Sequence, residues 1–375
     1  SEEIADFGDI LVIYTPDYST AIQDWIKWKK QKGYHVDELE VNAGANVVAD
    51  IQSEYDNNNN LLYVLLVGDW ADVQTDMGTT ANAPVDPMAG CVAGGDDYHD
   101  IIVGRFSAES EADVTAQVDK SINYEKNPVA GGAWYSKALG IASDEGAGMG
   151  DDGESDQEHI ELIHTEKLQS FTYNTTEAEY DPGVATADVA THIDGGVGVI
   201  NYTGHGGHNM WVTSGYSATD ANSATNTNEH SFVFSVACVV GEFHTGGDCL
   251  AEGLLRNPNG GALAAWMSTI NQPWTPPMRG QDYANDLLIQ GFDYSGRASD
   301  GTSTSYGRTT FGSITFNAAA LMVAEASSGS DWDTYKTWTI FGDPSVQVRT
   351  EAPNDLTISN MTVTSNTYET SITSQ

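Results

Sequence analysis

The chain is predicted to be an α/β protein in which mostly parallel sheet is covered by helices on both faces and divided between two side-by-side halves. Three observations predict this. Short apolar runs alternate with segments of helical period along most of the sequence. The run Leu61 to Val67 (LLYVLLV) is apolar at every position, which suits a strand buried on both faces and not an exposed edge. A polar, Pro- and Gly-containing stretch, Lys126 to Gly132 (KNPVAGG), separates two such alternating regions. At 375 residues the chain is roughly two and a half times the ~150-residue domain, long enough for one large or two coupled units.

Taken in order, Ile10 to Tyr14 is a first strand, and Ala21, Ile22, Trp25, Ile26 and Trp28 recur near helical period until Gly33 stops that helix. His35 to Val41 alternates as a second strand, Val47 to Tyr55 is a second helix, and Leu61 to Val67 is the buried third strand. Gly68 and Asp69 follow at its C-terminal end, where open α/β sheets place ligand and metal groups. After an irregular stretch, Ile101 to Phe106 reads as strand and Ala112 to Tyr124 as helix. A second sheet is expected from Ala138 to Ala142, Val197 to Asn201, Phe232 to Ala237 and Ala262 to Met267. Helices are expected between these strands and after them, at Asp156 to Leu168, Ala187 to Ile193, Cys249 to Leu255 and Asp282 to Ile289. The expected units are therefore residues 1–130, an N-terminal α/β subdomain, and 131–350, a catalytic α/β subdomain. Residues 351–375, rich in Thr, Ser and Asn, form a tail that resembles the start of a β-rich domain or a linker.

Composition narrows the function. Fifteen Lys and Arg against 54 Asp and Glu give a net charge of −39, a field that repels phosphate backbones and anionic lipid, so nucleic acid is an unsuitable partner. Nine Trp, 17 Tyr and 40% apolar residues exclude a disordered acidic chain. Three cysteines, Cys91, Cys238 and Cys249, cannot all pair within one chain. No apolar run is long enough to span a membrane, and Ser1 opens an acidic segment without the basic and apolar regions of a signal peptide. A solvated secreted or cell-surface protein in processed form is the expectation.

Two strand ends carry candidate chemistry. Val199 to Tyr202 runs into Thr203-Gly204-His205-Gly206-Gly207-His208, and Phe232 to Ala237 runs into Cys238, 33 positions after His205. Loops after neighbouring parallel strands can bring an imidazole and a thiol together, with the imidazole as general base and the thiolate as nucleophile. Glycines beside His205 let backbone N–H groups approach an oxyanion. On spacing alone, Cys238 reads equally as an inert small hydrophobe, His205 as a turn residue, and His208 and His244 as rival bases. Neither C-x-x-C nor H-x-x-x-H occurs, which argues against a metal at the thiol.

Longer strings carry a family resemblance. NYTGHG at Asn201 to Gly206 followed by Trp211, FVFSVACVVGEF at Phe232 to Phe243, STINQPWTPPMRGQD at Ser268 to Asp282 and WTIFGDPSVQVRT at Trp338 to Thr350 resemble the gingipain family of secreted cysteine endopeptidases. The likeness runs in order from about Ile10 to Thr350 and includes IKWKKQKG, LLYVLLVGD, GRFSAES and DGESDQEH. It implies a caspase-like and gingipain-like three-layer α/β/α fold with two subdomains, in agreement with the pattern above.

The same resemblance implies roles. His205, at the family's TGHG position, becomes the base and Cys238 the nucleophile, with the N–H groups of Gly206 and Cys238 forming the oxyanion hole. Glu145, in IASDEG, matches the acid that orients the catalytic histidine, although the adjacent Asp144 leaves a plain loop charge as the other reading. Asp156 matches the carboxylate at the bottom of the primary pocket of the arginine-specific branch, where it would pair with a guanidinium. Without the resemblance it reads as an acid at a helix N-terminus. Trp274 and Met278 match pocket walls, with Thr203, Val236 and Gln272 nearby. Asp69, Asp96 and Asp100, with the carbonyls of Ala93 and Tyr98, match a structural calcium site of roughly six to eight oxygens.

The sequence departs from the family after the histidine, where Gly207-His208-Asn209-Met210 stands in place of Ser-Glu-Thr-Ala, and in a glycine-rich acidic loop at Gly146 to Gly153. The expected function is a secreted cysteine endopeptidase that cleaves protein or peptide substrates after arginine through a Cys-His thioester mechanism. Its rivals are a peptidase with Lys or Asn at P1 and a calcium-stabilised surface binding module that retains the fold without cutting.

Overall fold

The computed structural model describes residues 8–79, 82–150, 152–289 and 310–353. The tail assigned to 351–375 lies, from residue 354 onward, outside the described residues. Ten strands form the principal sheet: β1 (Asp9–Tyr14), β2 (Val36–Glu40), β3 (Leu61–Val67), β4 (Ile102–Phe106), β5 (Lys137–Ala142), β6 (Thr175–Tyr180), β7 (Val199–Thr203), β8 (Ser231–Val236), β9 (Ala262–Ser268) and β10 (Trp338–Gly342). Their spatial order is β2-β1-β3-β4-β10-β9-β8-β7-β5-β6. The second sheet expected from residue 138 onward is thus the continuation of the first.

Every neighbouring pair is parallel except β9 and β10, which are antiparallel from Ala264↔Gly342 to Ser268↔Trp338. That single reversal makes the two halves run in opposite senses, so their C-terminal rims lie on opposite edges of one sheet. β10 comes from the far end of the second half of the chain, yet pairs in parallel with β4. Trp266 of β9 and Trp338 of β10 stack at this seam, ring centroids 3.5 Å apart.

Helices cover both faces: α1 (Gln23–Lys32), α2 (Val48–Asn57), α3 (Glu111–Lys126), α4 (Asp156–Leu162), α5 (Thr186–Asp194), α6 (Leu250–Arg256), α7 (Thr275–Leu288), α8 (Phe311–Ala324) and α9 (Gly329–Thr337). Alternate strand residues supply opposite layers, as the period of two requires. Ile10, Val12, Tyr63, Leu65, Phe232, Phe234 and Trp266 join one core cluster that runs along both halves and packs α1, α3, α4, α7 and α8. On the other face, Leu11, Ile13, Val64 and Leu66 meet α2, while Leu139, Ile141, Ile200 and Val233 meet α5 and α6. The unbroken apolar run of β3 is therefore required by two cores at once. α4 begins with a capping box between Ser155 and Glu158 and passes into a wider π-helical turn over Ile163–Leu168.

Candidate active site

Three adjacent strands end level with one another. Register pairs Ala142 of β5 with Thr203 of β7, and Thr203 with Val236 of β8. The next few residues of each strand carry Glu145, His205 and Cys238, so parallel pairing alone delivers an acid, an imidazole and a thiol to one rim. His205 and Cys238 line one cleft of about 260 Å³ with Gly204, Val236, Ala237, Gln272, Pro273 and Trp274.

The backbone around His205 is fixed from several sides. A small sheet of Gly206–Gly207, Met210–Trp211 and Tyr216–Ser217 folds the chain back on itself. Val212 N–H donates to the His205 carbonyl at 2.9 Å, and the Tyr202 hydroxyl donates to the same oxygen at 2.5 Å. Trp211 stacks on Tyr202 and donates to Ser235 Oγ at 3.0 Å. Gly206 packs against the backbone of Cys238 so closely that a Cβ would collide with the Cys238 carbonyl, and its N–H is aimed at the thiol. His205 Nε2 lies 2.8 Å from Glu145 Oε2, both side chains about half exposed. Since a carboxylate only accepts, Nε2 carries the proton and Nδ1 remains the basic nitrogen. Trp274 meets the ring edge-on, centroids 5.2 Å apart.

Cys238 is held in a strained turn. The next residue, Val239, has φ 48°, a left-handed conformation that a β-branched side chain adopts only under constraint. The constraint is visible: Val239 N–H donates to Ile270 O and Gly241 N–H to Ser268 O, both at 2.9 Å. Burial pushes the Cys238 thiol up from its ordinary value, with the Gln272 and Gly206 backbone contacts acting against this. Its hydrogen bond runs to the Gln272 carbonyl at 3.7 Å. The resting group is therefore a thiol, with the proton still to be transferred. The other cysteines are also unpaired; Cys249 is buried and Cys91 half-buried.

Asp156 is the first residue of α4 and fully buried; it does not itself line the cleft and is joined to it through Trp274. Trp274 Nε1 donates to its Oδ1 at 2.7 Å and the Ser143 hydroxyl to its Oδ2. Burial raises its pKa, opposed by those two hydrogen bonds and by the positive ends of His159 and His205. Gly146, at φ 73°, lies against the carboxylate where any side chain would strike Oδ1. Val236, Gln272 and Trp274 line the cleft beside His205 and Cys238. Thr203 is buried and turns its hydroxyl away to Gln281 Oε1 at 2.7 Å, and Met278 sits in the core behind Trp274. Gln272 Oε1 accepts from Ala237 N–H at 3.1 Å, fixing the residue before the thiol.

Ser143, Glu154, His159 and Gln281 belong to this region and were not singled out from sequence. Glu154, His159 and Gln281 do stand inside the quoted family strings, but no spacing distinguishes them there.

The three acids of the expected calcium shell do not form a group among the described residues. Asp100 Oδ2 accepts from Val92 and Ala93 N–H at 2.9 and 2.7 Å, and Asp96 Oδ1 from Tyr98 N–H at 3.1 Å, so the 93–100 loop closes on its own backbone. Asp69 caps its own turn through Ala71 N–H at 2.7 Å. Among the described residues no group of three or more His, Cys, Asp or Glu side chains is placed to hold a metal ion. The arrangement thus does not fit a shell built on these three acids. No helix of the described residues is long and apolar enough to cross a membrane.

Comparison with known proteins agrees with this geometry. Gingipain R2 of Porphyromonas gingivalis is 35% identical over 376 residues, covering 96% of this chain and 49% of that protein. The chain therefore spans about half the length of the curated relatives it matches. The crystal structure of the Arg-specific cysteine proteinase gingipain R superposes with a TM-score of 0.85 at 35% identity, covering 94% of this chain and 81% of that one. A complex of the pro- and mature domains of a P. gingivalis gingipain gives 0.84 at 36% identity, with coverages of 92% and 81%. The fold is the gingipain-like α/β arrangement that the sequence predicts, and the profile of peptidase family C25 matches residues 5–349. The chain belongs to peptidase family C25, the family of the gingipains.

Proposed function

We propose that the protein is a cysteine endopeptidase that cleaves peptide bonds after arginine. The observation that carries this reading is the buried Asp156 carboxylate, joined through Trp274 to the cleft that His205 and Cys238 both line. A side chain entering past Val236 and Gln272 would run along the Trp274 face, an apolar wall suited to an arginine stem. Its guanidinium would then reach a carboxylate that burial makes costly to ionise alone. Pairing with a planar cation offsets that cost, and the related gingipain R is an Arg-specific cysteine proteinase.

In the reaction, His205 Nδ1 takes the thiol proton as Cys238 Sγ attacks the carbonyl carbon. The oxyanion is held by the N–H groups of Gly206 and Cys238, and the leaving amine takes the proton back from His205. Water, deprotonated by the same nitrogen, then hydrolyses the thioester. Glu145 fixes the His205 tautomer and stabilises the imidazolium. Secretion or surface display is part of the proposal, supported by the strongly acidic composition and by the gingipain resemblance.

The test is digestion of a peptide library by wild type and by Asp156→Asn. Wild type is expected to cut after Arg, and the variant to lose kcat/KM on Arg substrates by on the order of 10²- to 10³-fold, the cost of leaving a charge without its buried partner. Equal losses across all P1 residues would make Asp156 a structural acid and overturn the assignment.

A further inference from the structure

A second histidine–glutamate pair lies behind the cleft, and its hydrogen bonds allow one assignment of protons. Gln281 of α7 is buried, with Nε2 at 3.2 Å from Tyr202 O and 2.9 Å from Phe234 O. Only the amide nitrogen can face two carbonyls. Gln281 Oε1 therefore faces the Thr203 hydroxyl at 2.7 Å and His159 Nε2 at 3.0 Å. That oxygen has no proton to give, so Nε2 donates. Across the ring, Nδ1 lies 3.2 Å from Glu154 Oε1, and Glu154 Oε2 accepts from Asp152 N–H at 2.8 Å. Burial raises the Glu154 carboxyl, whereas the backbone N–H bonds at Asp152 and Glu154 favour its ionised form independently of the ring. An ionised carboxylate accepts, so Nδ1 donates as well. A ring that donates from both nitrogens is an imidazolium, here with only 3% of its side chain exposed.

We infer that His159 is a buried imidazolium that acts as the positioning residue of the specificity pocket, anchoring the far end of the loop that begins at Glu145. The loop is bracketed by two such pairs, Glu145 with His205 and Glu154 with His159. Between them Gly146 lies on the Asp156 carboxylate, and the Met149 carbonyl accepts from Thr275 Oγ1 at 2.6 Å, next to Trp274. The charged groups facing the ring are Glu154 from the loop and Asp156 from α4, whereas α7 offers the neutral Gln281. Its charge thus serves twice: it holds the loop closed behind Asp156 and helps keep Asp156 ionised for a cationic side chain.

The inference rests on Asp156 as the P1-reading group, and the two are separated by experiment. Nitrogen-15 NMR of the His159 ring at neutral pH is expected to show two protonated ring nitrogens; one bare nitrogen would overturn the inference whatever the substrate. His159→Gln can replace Nε2 but not the bond to Glu154, and His159→Asn can replace Nδ1. The Gln variant is expected to raise KM on Arg substrates about tenfold or more, with kcat and the alkylation rate of Cys238 nearly unchanged, and the neutral Asn variant to recover only the part of that loss that comes from the bond to Glu154. Parallel falls in kcat and alkylation at constant KM, or no change in any of them, would refute a positioning role. If wild type fails to cut after Arg, the P1 reading alone falls. Amide hydrogen exchange in loop 146–154 then decides for His159: faster exchange in the Gln variant than in wild type supports the anchor, and equal exchange removes it.

Discussion

The two C-terminal rims of the sheet are built alike and filled differently. On the first half, the ends of β3 and β4 are plugged by Arg105, whose side chain is fully buried. Its Nε and Nη2 grip both oxygens of Asp86 at 2.7 and 3.0 Å, and Nη1 donates to the carbonyls of Gly68, Val73 and Asp69 at 2.7, 3.1 and 3.3 Å. Phe243 closes the guanidinium from one face at 4.4 Å. On the second half, the ends of β5, β7 and β8 leave His205 44% and Glu145 55% exposed around a cleft. A strand end thus offers only a place. Whether it becomes a site depends on whether its polar groups are already satisfied by fixed partners or still face solvent.

Breaking the open rim is expected to have the largest effect. Cys238→Ala should remove amidase activity by roughly 10⁴-fold or more while leaving the melting midpoint within a degree or two; retained turnover would remove the thiol from the mechanism. Breaking the plugged rim should do the reverse. Arg105→Met leaves Asp86 buried without its cation and is expected to cost about 3–5 kcal/mol, with kcat per folded molecule nearly intact. Calorimetry checks it, and addition of Asp86→Asn should restore part of the loss. If the single variant melts like wild type, the plug is not structural.

A smaller effect is expected at Glu145. Glu145→Gln should lower kcat by roughly ten- to a hundredfold with little change in KM, because an exposed pair is worth less than a buried one; a KM effect alone would point to loop geometry. The smallest effect is a shift in a pH profile. Since burial raises the Cys238 pKa, the thiol is protonated below that value and the thiolate appears only as pH rises through it. Iodoacetamide alkylation of the resting enzyme should therefore have its midpoint above the ordinary ~8.5 of a free cysteine. A midpoint below neutrality would reveal a standing thiolate–imidazolium pair.

Sequence legibility followed how much apolar surface each element must bury. β3 was readable because both its faces enter cores. β6, TTEAEY, lies at the sheet edge with no fully buried position, so it left no apolar run to find. α8, FGSITFNAAALMVA, is buried nearly all round and lacks the polar stripe that marks a surface helix. α7 starts at Thr275, earlier than the expected Asp282, because Pro276 and Pro277 occupy the first turn, where a missing N–H costs nothing. The placement of His205 and Cys238 at neighbouring strand ends was legible from the sequence, whereas their roles came only from the family resemblance. Ser143, His159 and Gln281 were not, since their roles arise from hydrogen bonds between residues up to 122 positions apart.

The antiparallel pairing within the ten-stranded sheet has a consequence for assembly. β10 joins β4, more than 230 positions upstream, to β9 beside it in space. Until that strand arrives, two long edges of backbone donors and acceptors lie open to any passing chain. A ribosome must therefore release nearly all of the family-matched region before this chain can become a single body.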